Sequence, residues 1–206
     1  MRKEYRMHRL DLPDLAHSPF DQFRKWFDEA RKGQVLEPTG FTLATATAKG
    51  IPSCRTVLMK EFSDEGLLFF TNVESRKGQE LTVNPHAAAT FWWKELERQV
   101  FIEGFVTPAD RALAEKYFTK RPRGSQIGSW ASHQGTPVQN RKELEKSFEK
   151  WEKEYSNKTI PCPTYWGGFW IIPTSFEFWQ GRENRLHDRL RYSFHHDAWT
   201  IKRVSP

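Results

Sequence analysis

The sequence predicts a mainly β domain in which antiparallel strands form a barrel and helices pack around it. Short segments rich in aromatic and β-branched residues follow one another, separated by turns that contain glycine, asparagine or aspartate. Many consecutive short strands of this kind are typical of a closed barrel. The chain of 206 residues is long enough for one substantial core, and aromatic residues make up 15% of it. We therefore expect a single domain without internal repeats.

The first part of the chain predicts an arm followed by a helix. Residues 1–17 are basic and lack periodicity, so we expect a flexible arm there and one domain over residues 18–206. Ser18 and Pro19 are suited to a helix N-cap and first turn, and Gly33 is suited to its end. Apolar residues at helical spacing mark the buried face of this helix: Phe20, Phe23, Trp26, Phe27 and Ala30.

The next region predicts a meander of three strands and then a second helix. The strands are expected at residues 41–47, 53–62 and 67–71. Side-chain alternation places Arg55 and Lys60 on opposite faces of the second strand, unless a bulge intervenes. A helix is expected from about residue 74 to about residue 85, with Ser75 as its N-cap.

The start of this second helix could bind phosphate. Free backbone N–H groups, the helix dipole and the cations Arg76 and Lys77 would all favour an anion there. The alternative is a capped helix with two solvated cations. Many helices begin in this way, so the residues alone favour the alternative.

A hairpin and a third helix follow. The hairpin strands are expected at residues 87–93 and 99–106, and the helix is expected to begin at residues 107–108. Tyr117, Arg121 and Ser125 are spaced four residues apart, so they would share one face if helical geometry continued past Pro122. Hydroxyl and guanidinium groups are suitable phosphate ligands. A solvated arginine at a helix end is the alternative.

The C-terminal part predicts packing elements, two more strands and a turn before the last strand. Residues 130–135 read as a loop or short helix, and residues 137–156 as a charged amphipathic helix. Its apolar stripe consists of Leu144, Phe148, Trp151 and Tyr155. Strands are expected at residues 167–173 and 199–204. Residues 195–197, His-His-Asp, read as a polar hairpin turn rather than as part of a metal site.

Charge and cysteine content narrow the possible functions. The net charge of +6 favours anionic partners, but the basic residues are dispersed, which argues against nucleic acid. Two cysteines, Cys54 and Cys162, without a CxxC motif or a Cys/His cluster predict neither a disulfide framework nor a metal site. No signal peptide or membrane-length apolar run is found, so we expect a cytoplasmic protein without membrane contact.

Residues 176–189 read as a β-hairpin with a turn at residues 181–184. Alternation would place Arg185, His187 and Arg189 on one face, and Leu186 on the other. Cations on one face repel each other unless an anion lies between them. Because this face follows a strand that contains Trp179, it indicates a pocket wall; the alternative is a solvated strand face.

This hairpin closely resembles the signature of the pyridoxamine/pyridoxine 5′-phosphate oxidases, flavoproteins that make pyridoxal 5′-phosphate. The match runs through Glu177, Trp179, Gln180, a four-residue spacer, Arg185, His187, Asp188 and Arg189. The resemblance extends from about Arg2 to Pro206. It implies an FMN-binding split β-barrel and a homodimer with FMN at the subunit interface.

The resemblance also implies the reaction. Pyridoxine 5′-phosphate or pyridoxamine 5′-phosphate would be oxidised to pyridoxal 5′-phosphate, with dioxygen as acceptor and hydrogen peroxide as product. Two alternatives stay open at this point. One is a non-catalytic flavin- or pyridoxal-phosphate-binding protein on the same scaffold. The other is a protein that binds single-stranded nucleic acid.

Site residues follow from the resemblance, position by position. Arg185 and His187 are the expected catalytic pair. The positions that correspond to substrate contacts are Arg2, Tyr5, Lys60, Tyr117, Arg121, Ser125, Arg185, Leu186 and His187. The positions that correspond to FMN contacts are Arg55, Thr56, Val57, Leu58, Met59, Lys60, Phe70, Thr71, Arg76, Lys77, Gln99, Gln134, Gly135, Trp179 and Arg189. Gly135 replaces the serine usual in the family, so restoring serine is expected to strengthen FMN binding modestly.

Overall fold

One antiparallel sheet of nine strands organises residues 4–206, the part of the chain that the computed structural model describes. The strands are β1 Gly40–Ala46, β2 Pro52–Leu58, β3 Glu61–Ser63, β4 Gly66–Asn72, β5 His86–Trp93, β6 Arg98–Pro108, β7 Trp166–Gln180, β8 Asp188–His195 and β9 Ala198–Arg203. The helices are α1 Pro19–Lys32, α2 Arg76–Val83, α3 Arg111–Lys120, α4 Arg123–Ala131 and α5 Arg141–Glu154. The strand order is β2-β1-β5-β6-β7-β4-β3, and β8 pairs with both β7 and β9.

The long strand β7 divides the sheet into two parts. Along one edge it pairs with β6 over nearly its whole length. Its other edge is shared, since residues 166–171 pair with β4 and residues 175–180 pair with β8. Pro173 lies between these two partners, where its missing N–H leaves no ladder bond unmade. A register shift against β6 at Glu103 and Gly104 bends the strand at the same level.

The main core lies inside the curved sheet, under α1. Phe23 and Trp26 of α1 are buried against sheet residues such as Phe91 and Phe178. The Ser18 side chain accepts a hydrogen bond from the N–H of Phe20, and the helix ends before Gly33, as the sequence predicts. A smaller core forms between α3, α4 and the start of β7, and Phe148 and Trp151 of α5 pack against it.

Three predicted elements differ from those observed. The strand expected at 53–62 is two strands, interrupted at Met59 and Lys60, whose N–H groups bond to the carbonyls of Thr39 and Leu68. The helix expected from residue 107 begins at Arg111, because β6 continues to Pro108 and Asp110 caps the helix instead. The long charged helix is shorter than expected and begins after Asn140, whose side chain accepts from the N–H of Glu143.

Helical geometry does not continue from Tyr117 past Pro122 to Ser125. Arg121 has extended backbone angles, and α4 begins after Pro122. Proline disfavours helical geometry in the residue before it and cannot donate the next backbone hydrogen bond. Tyr117 and Ser125 therefore lie on two separate helices, so the condition for a shared helical face is not met.

The hairpin at 176–189 has a longer connection than predicted. β7 ends at Gln180 and β8 begins at Asp188, with a 3₁₀ turn over Glu183–Arg185 between them. Arg185, Leu186 and His187 thus lie in a loop, and their predicted alternation on a strand was wrong. The turn predicted at residues 195–197 is confirmed, since His196 and Asp197 both have positive φ between β8 and β9.

The described part of the N-terminal arm is tied to the sheet. The Glu97 carboxylate accepts hydrogen bonds from the N–H groups of Arg6 and Met7. Leu10 is buried, and its N–H donates to Asp188. Flexibility of residues 1–17 stays a prediction, and Arg2 lies outside the described residues. No helix among residues 4–206 has the length and apolar character needed to cross a lipid bilayer.

Candidate functional site

A cavity of about 730 Å³ opens between β2, β4, α3 and α4. It collects residues from four separated segments of the chain. The predicted site residues that line it are Thr56, Val57, Leu58, Lys60, Phe70, Thr71, Tyr117, Arg121, Ser125 and Gln134. Lys60 follows the break between β2 and β3 and lines the same cavity as Thr56 of β2, whereas Arg55 does not line it.

The break at Pro122 presents Arg121 to the cavity. Its Nη1 donates to Ser129 Oγ at 2.6 Å, and its guanidinium carbon lies 5.0 Å from the centre of the Trp166 ring. Burial lowers the pKa of Arg121 from its ordinary value. Within residues 4–206 no carboxylate forms an ion pair with it, so its charge is available to an anion in the cavity.

Three stacked aromatic rings form a wall of the cavity. Phe70 lies 4.5 Å from Tyr117 and 5.1 Å from Trp166, with interplanar angles of 13° in both pairs. Lys60 Nζ lies 6.0 Å from the centre of the Tyr117 ring. Such packing restricts the rotamers of these rings and keeps the Tyr117 ring near the Lys60 ammonium group.

A buried lysine lies directly behind the cavity. Lys77 Nζ donates to Ser75 Oγ at 2.9 Å, Gln134 Oε1 at 3.0 Å and Thr71 Oγ1 at 3.2 Å. Burial, and then repulsion from Arg55, lower its pKa to about 8. Because Thr71 and Gln134 also line the cavity, Lys77 is one side chain removed from it.

The N-terminus of α2 adds two further cations. Ser75 is the N-cap residue, as predicted, but its hydroxyl donates to the carbonyl of Asn72 and leaves the helix end without a side-chain cap. Arg76 Nε donates to Glu80 at 2.8 Å, and Arg55 Nη2 lies 3.5 Å from the same carboxylate. An uncapped helix end with three cations around it is an anion-binding arrangement.

A second group of predicted residues lies at the far end of β7. The His187 ring lies 4.7 Å from Trp179 and 5.8 Å from Tyr5. Trp179 is paired in register with Gln99. The N–H of Arg182 donates to His187 Nδ1 at 3.1 Å, so the neutral ring carries its proton on Nε2. Burial, and then Arg185, lower the pKa of His187, which favours this neutral form.

Arg189 is held on the same end of the sheet by an acidic partner. Its Nε donates to Glu177 Oε1 at 2.8 Å, and Arg191 binds the other oxygen of that carboxylate. The Glu177 side chain is buried, whereas both arginines are partly exposed. One carboxylate therefore fixes the direction of two guanidinium groups on β8.

The two groups of residues do not meet within one chain. Trp166, at the first cavity, and Trp179, in the second group, lie thirteen positions apart on β7. At ~3.3 Å per residue, a straight strand of that length spans roughly 40 Å. Neither Arg185 nor His187 lines the first cavity. A site that combined them with Arg121 would need a second copy of the chain.

Some predicted contacts have other surroundings. The Met59 side chain is buried in the main core rather than at the cavity. Gly135 has φ of 90°, and no atom lies within 4 Å of the position that a Cβ would take. Leu186 is exposed in the loop before β8.

Sequence reasoning missed two polar residues beside the predicted ones. Ser129 binds Arg121, and Glu80 binds Arg76. Glu80 follows Arg76 by four positions on α2, a spacing typical of ion pairs on helices, so this contact could have been predicted. The contact of Ser129 with Arg121 crosses the Pro122 break, and no local pattern indicates it.

Comparison with known proteins covers the whole chain. Residues 27–155 match the family profile described as pyridoxamine 5′-phosphate oxidase, and residues 166–206 match the pyridoxine 5′-phosphate oxidase C-terminal dimerisation region. The pyridoxine/pyridoxamine 5′-phosphate oxidase of Crocosphaera subtropica is 49% identical over 209 residues, covering 100% of this chain and 98% of that protein. The protein of the same name from Paraburkholderia phymatum is 49% identical over 207 residues, covering 100% and 97%.

Two solved structures share the fold. PhzG from Burkholderia lata 383, in complex with tetrahydrophenazine-1-carboxylic acid, has a TM-score of 0.89 at 30% identity and covers 94% of this chain and 95% of its own. A pyridoxamine 5′-phosphate oxidase-related, FMN-binding protein from Nostoc punctiforme has a TM-score of 0.72 at 15% identity, covering 93% and 100%. The predicted class, a mainly β split barrel with antiparallel strands, is confirmed.

Proposed function

The chain belongs to the pyridoxamine 5′-phosphate oxidase family, and from that premise we propose that it is an FMN-dependent oxidase of pyridoxine 5′-phosphate or pyridoxamine 5′-phosphate. The product would be pyridoxal 5′-phosphate, with dioxygen as acceptor and hydrogen peroxide as the second product. One observation carries the proposal: one set of cations and hydroxyl groups lines the cavity, and a second set of cations lies behind it, where Lys77 binds the cavity residues Thr71 and Gln134. Two sets are what a phosphorylated cofactor and a phosphorylated substrate would require.

The first set fits the phosphate of FMN. It consists of Arg55, Arg76 and Lys77 around the uncapped N-terminus of α2. A phosphate monoester carries roughly −1.5 to −2 charges at neutral pH, so such a site favours it strongly. Thr56, Val57 and Phe70 extend from this set along the cavity and would contact the flavin rings. When bound, the flavin supplies hydride acceptance and passes the electrons to dioxygen.

The second set fits the phosphate of the substrate. Lys60 and Arg121 supply charge, and Tyr117 and Ser125 supply hydroxyl groups, and all four residues line the cavity. Arg121 is oriented by Ser129, so its remaining N–H groups can reach an anion without rearrangement. This anchor would place the substrate ring beside the flavin position and exclude compounds that lack the phosphate.

A homodimer would complete the site. The outer face of β5, β6 and β7 exposes Trp92, Phe105 and Ile172, which are large apolar residues on one surface. The match to a dimerisation region over residues 166–206 supports pairing through this part of the chain. We propose that the partner subunit's end of β7 approaches the cavity and brings Gln99, Trp179, Arg185, His187 and Arg189 to it.

In that arrangement Arg185 and His187 would face the substrate ring. The guanidinium group of Arg185 would hold the ring against the flavin position and stabilise negative charge on its oxygen or nitrogen substituents. His187 presents Nε2–H, because Arg182 occupies Nδ1. It would therefore donate a hydrogen bond to the substrate or exchange a proton with it at Nε2.

The similarity to PhzG favours a second candidate, oxidation of a tricyclic carboxylic acid. The cavity volume of about 730 Å³ admits such a ring system. The four-residue anchor argues for a phosphate, since a carboxylate carries less charge and fewer acceptor oxygens. A non-catalytic flavin- or pyridoxal-phosphate-binding protein is the remaining alternative.

The test begins with the flavin of the purified full-length chain, extracted and identified by chromatography. We expect FMN, then release of hydrogen peroxide with each phosphorylated substrate and little release with pyridoxine or with tetrahydrophenazine-1-carboxylic acid. Bound FMN without turnover would favour the non-catalytic alternative, and faster oxidation of the tricyclic acid would favour the second candidate. A colourless protein that carries nucleic acid would refute the proposal.

A further inference from the structure

We infer that Glu80 is a positioning residue for the cofactor phosphate, one that holds Arg55 and Arg76 in the directions from which they bind it. The inference rests on the proposed function, because it concerns the site at which that function places FMN. Glu80 touches neither the cavity nor the expected substrate position. Its action would pass entirely through the two arginines.

Glu80 is a buried carboxylate whose two oxygens have different partners. Oε1 accepts a hydrogen bond from Arg76 Nε at 2.8 Å. Oε2 accepts from Ser53 Oγ at 2.6 Å and from Thr45 Oγ1 at 2.5 Å, and it lies 3.5 Å from Arg55 Nη2. The two arginines thus lie on opposite sides of one carboxylate.

Two hydroxyl groups link Arg55 to the same carboxylate. Arg55 Nη1 donates to Thr45 Oγ1 at 2.6 Å, and its Nη2 donates to Ser53 Oγ at 2.5 Å. Each hydroxyl accepts from Arg55 and donates to Glu80, so β1, β2 and α2 are joined in one closed network. Such networks fix side-chain directions more firmly than isolated pairs. On the other side Arg76 is largely exposed, and its Nε bond to Glu80 leaves both Nη groups for a ligand.

The charge of the network matches that of a phosphate monoester. Arg55, Arg76 and Lys77 contribute three positive charges and Glu80 one negative charge, which leaves a net charge of +2. A phosphate monoester carries roughly −1.5 to −2 charges at neutral pH. Burial acts to raise the pKa of Glu80, but hydrogen bonds from Ser53, Thr45 and Arg76 outweigh burial and bring the pKa to about 2. Glu80 therefore stays ionised while three cations surround the phosphate position.

The amide variant Glu80→Gln distinguishes a positioning role of Glu80 from the direct effect of its negative charge on the phosphate. An amide has one acceptor oxygen, so it can serve the hydroxyl groups or Arg76, but not both. Its NH₂ group would then face a cation or a hydroxyl hydrogen. Loss of positioning weakens phosphate binding, whereas loss of one negative charge alone would strengthen it. The two roles therefore predict opposite changes in FMN affinity.

The experiment titrates the flavin-free, full-length chain with FMN and, separately, with riboflavin, which lacks the phosphate. Quenching of flavin fluorescence gives both dissociation constants. We expect Glu80→Gln to weaken FMN binding about tenfold, the effect of one charge-assisted hydrogen bond, and to leave riboflavin binding unchanged. Ser53→Ala, which removes one bridging hydroxyl, should give a smaller change in the same direction. This variant tests the inference if Glu80→Gln fails to fold.

Glu145→Gln is the matched control. Glu145 forms an ion pair of the same helical spacing and the same 2.8 Å distance with Arg141, but on an exposed face of α5. Its removal should change neither titration. Tighter FMN binding by Glu80→Gln, or an equal loss for FMN and riboflavin, would overturn the inference while the proposed function stood. Failure of the parent chain to bind FMN would instead refute the proposed function and the inference together.

Discussion

Arg121→Ala should remove most of the preference for a phosphorylated substrate. The guanidinium group is half-buried, is oriented by Ser129 and has no carboxylate partner among the described residues. A hydrogen bond to a charged group contributes about 1.5–3 kcal/mol. We take about 2 kcal/mol, since Lys60 remains in the same cavity, and this corresponds to a roughly 30-fold fall in kcat/KM. The fall should appear mainly in KM, because the phosphate is bound equally before and during the reaction.

The assay measures initial rates of hydrogen peroxide release against the concentration of pyridoxine 5′-phosphate and, in parallel, of pyridoxine. The unphosphorylated compound cannot use the anchor, so its kcat/KM should be the same in parent and variant. Arg123→Ala provides the control. Arg123 lies two positions further along, outside the cavity lining, and donates to the carbonyls of Tyr155 and Lys158.

Equal losses for the two compounds would refute this reasoning, because they would show that Arg121 supports the cavity rather than the phosphate. A similar loss in Arg123→Ala would indicate that damage to the α3–α4 connection is responsible. Unchanged flavin content in Arg121→Ala is a further requirement, since the cofactor phosphate is assigned to the other set of cations.

Three further predictions concern the cofactor and the dimer. The pKa of Lys77 is lowered to about 8, so its ammonium group is charged below that pH and FMN affinity should fall as the pH rises through about 8. Lys77→Arg should abolish this fall, as measured by fluorescence titration at each pH. Gly135→Ser should not strengthen FMN binding, contrary to the expectation from sequence, because φ of 90° strains serine by about 1–3 kcal/mol; a tighter dissociation constant would contradict this. Phe105→Glu should yield a monomer with little bound flavin, measured by light scattering and absorbance, whereas the exposed but differently located Val83→Glu should remain dimeric.

Local signals in the sequence predicted local structure well. Ser18 and Gly33 bound the first helix because capping depends on only a few neighbouring residues. The turn at His196 and Asp197 was predicted for the same reason. The prediction of a single strand over residues 53–62 failed at Met59 and Lys60, because their N–H groups donate to the carbonyls of Thr39 and Leu68, which lie outside that segment.

The site was predictable only in part, because its parts come from distant segments. The resemblance named Lys60 and Arg121, and the structure brings both to one cavity. Periodicity could not reveal that Arg185 and His187 lie in a loop with positive φ at its centre, since a short charged segment fits a strand equally well. Sequence patterns also cannot show that the two ends of β7 belong to two different groups of site residues.

The shared edge of β7 has a consequence for how the chain folds. Leu67 of β4 pairs with Ile171 of β7, so this contact closes a loop of roughly one hundred residues, and β6 reaches β7 only across the three helices between them. Closing such a loop costs entropy before its contacts can stabilise the chain. Hairpins β1–β2 and β5–β6 are local and can form at once.

Until residues 166–180 pair with them, β4 and β6 each keep an unpaired edge, and unpaired edges are where partly folded chains associate. Folding speed and resistance to aggregation should therefore depend on β7 more than on any other strand, and a chain truncated before Trp166 should aggregate rather than fold.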